Sequence, residues 1–228
     1  MRPYARQTRA LATAARVLLT ALACLAHSGA GLAAPLTVTI LLPDGRPLSG
    51  VVVTARPMVD VAHPAPPVQA IMDQVDRTFV PDLLVVPTGS TVGFPNSDSV
   101  SHQIYSFSPA KRFQLPLYRG KPYPPVLFDQ PGVVTLGCNI HDSMLAYVVV
   151  TDAPFFGRTN TTGSWTGEVS AGNYQVTIWH PRLRDNDPHI LQGEVTVNEP
   201  SGGALTLHLV KQLKPAPLEG RPHSWDVY

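Results

Sequence analysis

The stretch Val134-Thr135-Leu136-Gly137-Cys138-Asn139-Ile140-His141-Asp142-Ser143-Met144 decides how this chain is read. Its first five residues alternate, so that Val134, Leu136 and Cys138 share one face of a strand. With Val134 and Leu136 packed into a core, Cys138 enters the interior where the strand ends. His141 follows three residues later and Met144 three after that, immediately before the apolar run Leu145–Thr151. A tight loop between two strands thus offers a thiol, an imidazole and a thioether.

Working upstream, Phe94-Pro95-Asn96-Ser97-Asp98-Ser99-Val100-Ser101-His102 ends one strand, turns, and starts another with a second histidine. The rest of the chain is punctuated in the same way. Short β-branched and apolar runs are expected as strands at Leu36–Leu42, Val51–Ala55, Val68–Gln74, Thr78–Pro81, Leu83–Val86, Thr91–Phe94, His102–Phe107, Val126–Asp129, Val133–Cys138 and Leu145–Thr151. A further set follows at Ser164–Val169, Tyr174–Trp179, Gln192–Asn198 and Ala204–Val210, with Ala171-Gly172-Asn173 expected as a hairpin turn between its first two members. Many short strands separated by Pro and Gly turns define an all-β sandwich or barrel.

Composition agrees. Of 228 residues, 44% are hydrophobic and only 14% charged, with 24 Pro and 17 Gly. A disordered chain is excluded by the apolar content, and a helical protein by the prolines and the scarcity of long Ala/Glu/Lys/Leu runs. A formal net charge of +1 gives no basis for nucleic-acid binding.

The N-terminus is expected to be an export signal. Arg2, Arg6, Arg9 and Arg16 precede the apolar run Val17–Ala26 and the small-residue exit Ser28–Ala34. That run is too short for a membrane anchor, and Ala21-Leu22-Ala23-Cys24 fits a lipoprotein signal poorly. Cleavage after Ala33 removes four of 17 basic residues and leaves 13 against 16 acidic ones. It also removes Cys24, so Cys138 stands alone in a compartment that normally pairs its cysteines. A lone thiol there is an inert buried residue, an intermolecular bridge, or a metal ligand.

Two imidazoles, a thiolate and a thioether suit copper. Soft sulfur favours Cu(I), imidazole suits Cu(II), and His₂Cys with a long axial Met is the blue-copper arrangement. Zinc is a poor match, because thioether is not a normal fourth zinc ligand. A binuclear copper-thiolate centre would need a second cysteine.

Residues 68–152 resemble a cupredoxin, and the Cys-x₂-His-x₂-Met loop is similar to the short ligand loop of amicyanin. Within that family the chain most resembles the group associated with methylamine utilisation (MauL-like proteins). The matching stretches are Phe79-Val80-Pro81, Val92 to Asp98, His102 to Ser106 and Cys138 to Met144. The resemblance implies a Greek-key β-sandwich and one type 1 copper per chain, with His102, Cys138 and His141 as equatorial ligands and Met144 axial. It implies that Asn96 ties the two ligand loops together and that the backbone of Gln103 reaches the thiolate. Cupredoxin carriers usually dock through an apolar patch around the exposed histidine, whereas here His141 is followed by Asp142 and Ser143.

Residues 34–62 and 153–211 flank this region. Their segments Asp44–Val51 and Thr162 to Pro181 resemble the opening and later strands of carboxypeptidase-regulatory-like (transthyretin-like) domains. The expectation is one small β-sandwich split by the inserted cupredoxin; an N-terminal extension and an independent C-terminal hairpin pair is the alternative. Pro57, Pro64, Pro66 and Pro67 mark a linker, and residues 212–228 a Pro-rich tail. Trp179 is expected as half-buried packing, and His63, His180, His189, His208 and His223 are assigned no role.

The function implied is a periplasmic, non-enzymatic carrier of single electrons between redox partner proteins, with no nucleic acid and no membrane span after signal removal. An exported non-redox binding or assembly module remains open, as does a copper storage or delivery protein.

Overall fold

The computed structural model describes residues 33–59, 64–120, 122–183 and 192–215. The proposed signal segment, His63, His189, His223 and most of the tail lie outside the described residues. Those described hold strands and turns, with no helix. In chain order the strands are β1 (Ala34–Leu41), β2 (Val52–Pro57), β3 (Gln69–Ile71), β4 (Asp73–Val75), β5 (Thr78–Val80), β6 (Leu83–Pro87), β7 (Ser90–Gly93), β8 (His102–Ser108) and β9 (Lys111–Tyr118). They continue as β10 (Val126–Phe128), β11 (Gly132–Gly137), β12 (Leu145–Thr151), β13 (Phe155–Arg158), β14 (Ser164–Val169), β15 (Gly172–Trp179), β16 (Gln192–Val197) and β17 (Gly203–His208).

The middle of the chain forms a five-stranded sheet, β6-β12-β11-β8-β9, a three-stranded sheet, β10-β7-β3, and the β4-β5 pair. Inward residues of these strands share one core that includes Phe94, Phe128, Ile104, Val134, Leu136, Ala146 and Val148, together with Cys138 and Met144. Alternation along β11 sends Val134 and Leu136 into it, and each such side chain contributes about 1.5–3 kcal/mol by leaving water.

The two ends of the chain meet in a second pair of sheets. Strand β1 pairs antiparallel with β14 and parallel with β17, and β2 lies between β13 and β15, with β16 outside β15. Leu36, Val38, Ile40, Val53, Val176 and Ile178 lie in the core between them. A smaller cluster joins this pair to the five-stranded sheet. Val52 packs with Leu83 and Val149, and Trp179 meets Tyr147 edge-to-face at 5.3 Å. Trp179 is therefore half-buried packing.

Four local features differ from the sequence expectation, one of them β13 (Phe155–Arg158), a strand that the sequence pattern did not mark. The turn at Ala171–Asn173 is not a hairpin: β14 pairs with β1 and β15 with β2 and β16, so the turn carries the chain from one sheet to the other. Tyr174 closes it by donating its hydroxyl to Ser170 O at 3.0 Å. The single strand expected at Val68–Gln74 is broken at Met72, whose two sides pair with different partners, β7 and β5. Strand β9 was not foreseen, because Pro116 interrupts its alternation; it is an edge strand, where a missing N–H is tolerated.

Candidate metal centre

His102 is the first residue of β8, Cys138 follows the last residue of β11, and Met144 precedes β12. Strands β8, β11 and β12 are neighbours in the five-stranded sheet, which brings both ligand-bearing segments to one end of the same core. His102 is fully buried and Cys138 is 3% exposed; His141 is partly exposed, and Met144 is buried in the same core as Cys138. The loop between them is closed by Met144 N donating to His141 O at 3.0 Å.

The side chains converge. Nδ1 of His102 lies 3.1 Å from Nδ1 of His141 and 4.0 Å from Sγ of Cys138. The metal-binding atoms of the three residues all lie within 4.8 Å of one another. An ion held at about 2.0 Å from nitrogen and about 2.3 Å from sulfur meets pairs at such separations. Cys138 is a free thiol, so its sulfur is not spent on a disulfide. Where a metal lies in reach, that thiol gives the softest donor of the set.

The far nitrogen of His102 is also engaged. Nε2 lies 3.0 Å from Oδ2 of Asp98. A carboxylate there accepts a hydrogen bond from Nε2–H, which leaves the Nδ1 lone pair facing Cys138 and His141. The hydrogen bond with His102, followed by the Arg77 amide, holds the Asp98 carboxyl far below the usual carboxylate range. Asp98 is thus anionic at any ordinary pH. Nothing in the sequence reading assigned it this position; a carboxylate four residues before a ligand histidine in a turn was the available signal.

Asn96 and Gln103 occupy places other than those the resemblance implied. The Asn96 amide donates to Val100 O at 3.0 Å and Tyr118 O at 2.8 Å, and its carbonyl accepts from Asp98 N at 3.0 Å. These bonds shape the loop that carries Asp98 and fasten it to β9. The side-chain tie between the two ligand-bearing segments is instead Asn139 donating to the Gln103 carbonyl at 2.9 Å. No hydrogen bond from the Gln103 backbone to Cys138 is found among the described residues.

Behind His102, the Tyr118 hydroxyl donates to Phe94 O at 2.6 Å and accepts from the Gln74 amide at 2.6 Å. Burial pushes the Tyr118 phenol up to about 12. Beside Cys138, Gly137 leaves room for a ring: a Cβ there would lie 2.8 Å from Tyr105.

A His–Cys–His group, two of its members buried and His141 partly exposed, lies at one end of a β-sandwich core and could hold a metal ion with nitrogen and sulfur. No family model matches the chain, and no curated protein matches it. Among solved structures, a purple cupredoxin from Nitrosopumilus maritimus is 26% identical, covering 36% of this chain and 99% of its own, with a TM-score of 0.33. A reduced Cu(I) variant of amicyanin is 20% identical, covering 43% and 99%, with a TM-score of 0.33. A copper-containing nitrite reductase from Thermus scotoductus is 25% identical, covering 42% of this chain and 25% of its own, with a TM-score of 0.35. At such scores the likeness carries no weight for the centre, whose reading rests on its own side chains. No helix among the described residues is long and apolar enough to cross a membrane.

Proposed function

We propose that this chain is an exported mononuclear type 1 copper protein that carries single electrons between redox partners in the periplasm. One observation carries the reading: two imidazole nitrogens and a buried free thiol converge within 4.8 Å, while the second nitrogen of the buried histidine is held by a carboxylate. Methylamine metabolism is the setting that the resemblance favours. The sheet pairing of β1 and β2 with β13 to β17 supports an inserted arrangement, with residues 68–152 as the copper-holding part of a split sandwich.

The donor set fits copper. His102, His141 and Cys138 would hold it, with the Met144 thioether as the fourth donor. Bound copper supplies one-electron chemistry, alternating between Cu(I) and Cu(II). The chain's own residues supply the rest. Asp98 fixes the His102 ring and its tautomer, so that donor position does not drift with oxidation state. The core around Cys138 excludes water from the thiolate, and the Met144–His141 backbone bond keeps the loop short. Four protein donors leave no place for a substrate, so the reading is of a carrier and not an enzyme.

The test is a Cu(II) titration of the mature protein followed by visible absorption, beside Cys138→Ser. One equivalent producing an intense thiolate-to-copper band that ascorbate bleaches, and no band in the variant, supports the reading. Folded protein with no band sinks it, and weak labile uptake with preference for Cu(I) points to storage or delivery.

A further inference from the structure

We propose that the open half of the five-stranded sheet, at Tyr105 and Phe107, is where this chain exchanges electrons with a protein partner whose contact face is apolar at its centre and carboxylate-bearing at its edge. The proposal rests on the copper reading above and says which surface the electron uses.

The outer face of that sheet is unequally covered. Its β6–β12 side lies under Val52 and Trp179 of the flanking sheets. On its β11–β8–β9 side the outward residues include Tyr105, Phe107, Arg112, Gln114, Thr135 and Gly137, and Phe107 is 75% exposed. The rings of Tyr105 and Phe107 are 5.2 Å apart and border a hollow of about 320 Å³. One exposed apolar side chain needs no explanation. Here a pair of rings sits beside the residue that precedes the thiol.

Tyr105 is directly opposite Gly137 in the β8–β11 ladder, and its ring occupies the space over the glycine. Gly137 is bonded to Cys138. From Sγ, a few covalent bonds through the Cys138 backbone lead to Gly137 and from there, across one van der Waals contact, to an aromatic ring at the surface. Electron coupling falls steeply through empty space, so a ring in contact with the ligand's own backbone is the shortest route through this face. With copper held by His102, His141 and Cys138, this route would carry one electron outward to the partner's oxidised one-electron centre, with no bond broken and no proton moved.

Charge selects the partner. Arg112 lies opposite Phe107 on β9, exposed and with no ion pair among the described residues, whereas its neighbour Lys111 is tied to Asp129 at 3.2 Å. The outward residues of this half carry that cation and no carboxylate. An unpaired guanidinium at the rim of an aromatic patch favours an acidic edge opposite it and raises the encounter rate.

The test uses the copper-loaded, ascorbate-reduced protein and ferricyanide as an anionic one-electron acceptor, with Tyr105→Leu, Tyr105→Phe and Arg112→Glu. Line broadening of backbone amides by redox-inert hexacyanochromate(III) supplies a readout independent of turnover. The expected results are broadening at Tyr105, Phe107 and Gly137, several-fold slower oxidation of Tyr105→Leu, and near-normal oxidation of Tyr105→Phe. Arg112→Glu should slow oxidation about tenfold at low salt, with the difference shrinking as salt rises. The visible band should stay unchanged in all three. An intact band with unchanged rates, and broadening confined to residues 140–144, would overturn the proposal in favour of exit at His141. A protein that takes up no copper overturns it together with the reading beneath it, and the missing band tells the two failures apart.

Discussion

The carboxylate of Asp98 and the imidazole of His102 meet at 3.0 Å, through the ring nitrogen that points away from His141 and Cys138. Both side chains are almost wholly buried. The pair sets which nitrogen faces the centre, so the donor set depends on a residue that donates nothing to the metal. Asp98→Asn keeps the size but removes the charge, and loss of such an outer partner lowers metal affinity by about 10–100-fold. A chelator competition should show at least the lower end of that range, with a raised reduction potential because Cu(II) loses a neighbouring anion. Equal affinity in the variant would show that the contact has no bearing on the site.

Gly137 is required by its neighbour and not by its backbone. A Cβ at this position would lie 2.8 Å from the Tyr105 ring. Gly137→Ala should therefore cost about 1–3 kcal/mol, the usual range for overpacking. Urea midpoints measure the loss, and adding Tyr105→Ser should restore most of it. No recovery in the double variant would place the cost elsewhere.

The Tyr118 hydroxyl joins Phe94 O to the Gln74 amide in the interior behind His102. Tyr118→Phe leaves the Phe94 carbonyl without that donor, while Gln74 keeps its bond to Pro95 O at 3.0 Å. Leaving one buried acceptor unsatisfied costs about 1–3 kcal/mol. Equilibrium unfolding that differs from wild type by less than its own error would contradict the assignment.

His180 sits next to Trp179, near the contact between the sheet pairs. Burial, and then the nearby charges of Arg182 and Arg158, depress its pKa to about 4. Its Nδ1 accepts from the Arg182 amide at 3.2 Å, which also favours the neutral ring. Between pH 4 and 6.5 the unfolded chain binds a proton here that the folded chain does not, so stability falls as pH drops through that window. The depressed carboxylates, such as Asp98 and Asp129, lose their contribution only at lower pH. Urea midpoints of the copper-loaded protein should fall less steeply from pH 7 to 4.5 in His180→Gln than in wild type. Parallel slopes would rule out His180 as the source.

Much of this architecture is written locally. Val134, Leu136 and Cys138 share a face because strands alternate, and the His141 and Met144 intervals follow directly along one short loop. His102 is harder to place, since only pairing of β8 with β11 brings it to Cys138. Such long-range pairing has no local signature, and the same reason hid Asp98, Asn139 and Tyr105. The turn at Ala171–Asn173 shows the opposite error. Gly and Asn mark a reversal, but whether the next strand returns to the same sheet or crosses to the facing one is decided by β1 and β2, more than a hundred residues earlier. Strand β9 was obscured by Pro116, which is harmless at an edge and would be disruptive in the middle of the sheet.

The copper proposal requires His102, His141 and Cys138 to hold one ion together. Copper K-edge X-ray absorption of the mature protein loaded with one equivalent tests it most directly. The expected inner shell holds two nitrogen donors at about 2.0 Å and one short sulfur near 2.2–2.3 Å, distances of the kind imidazole and thiolate make with comparable metals. The sulfur should vanish in Cys138→Ser and one nitrogen in His102→Ala. An inner shell of oxygen and nitrogen alone, unchanged by either substitution, would contradict it.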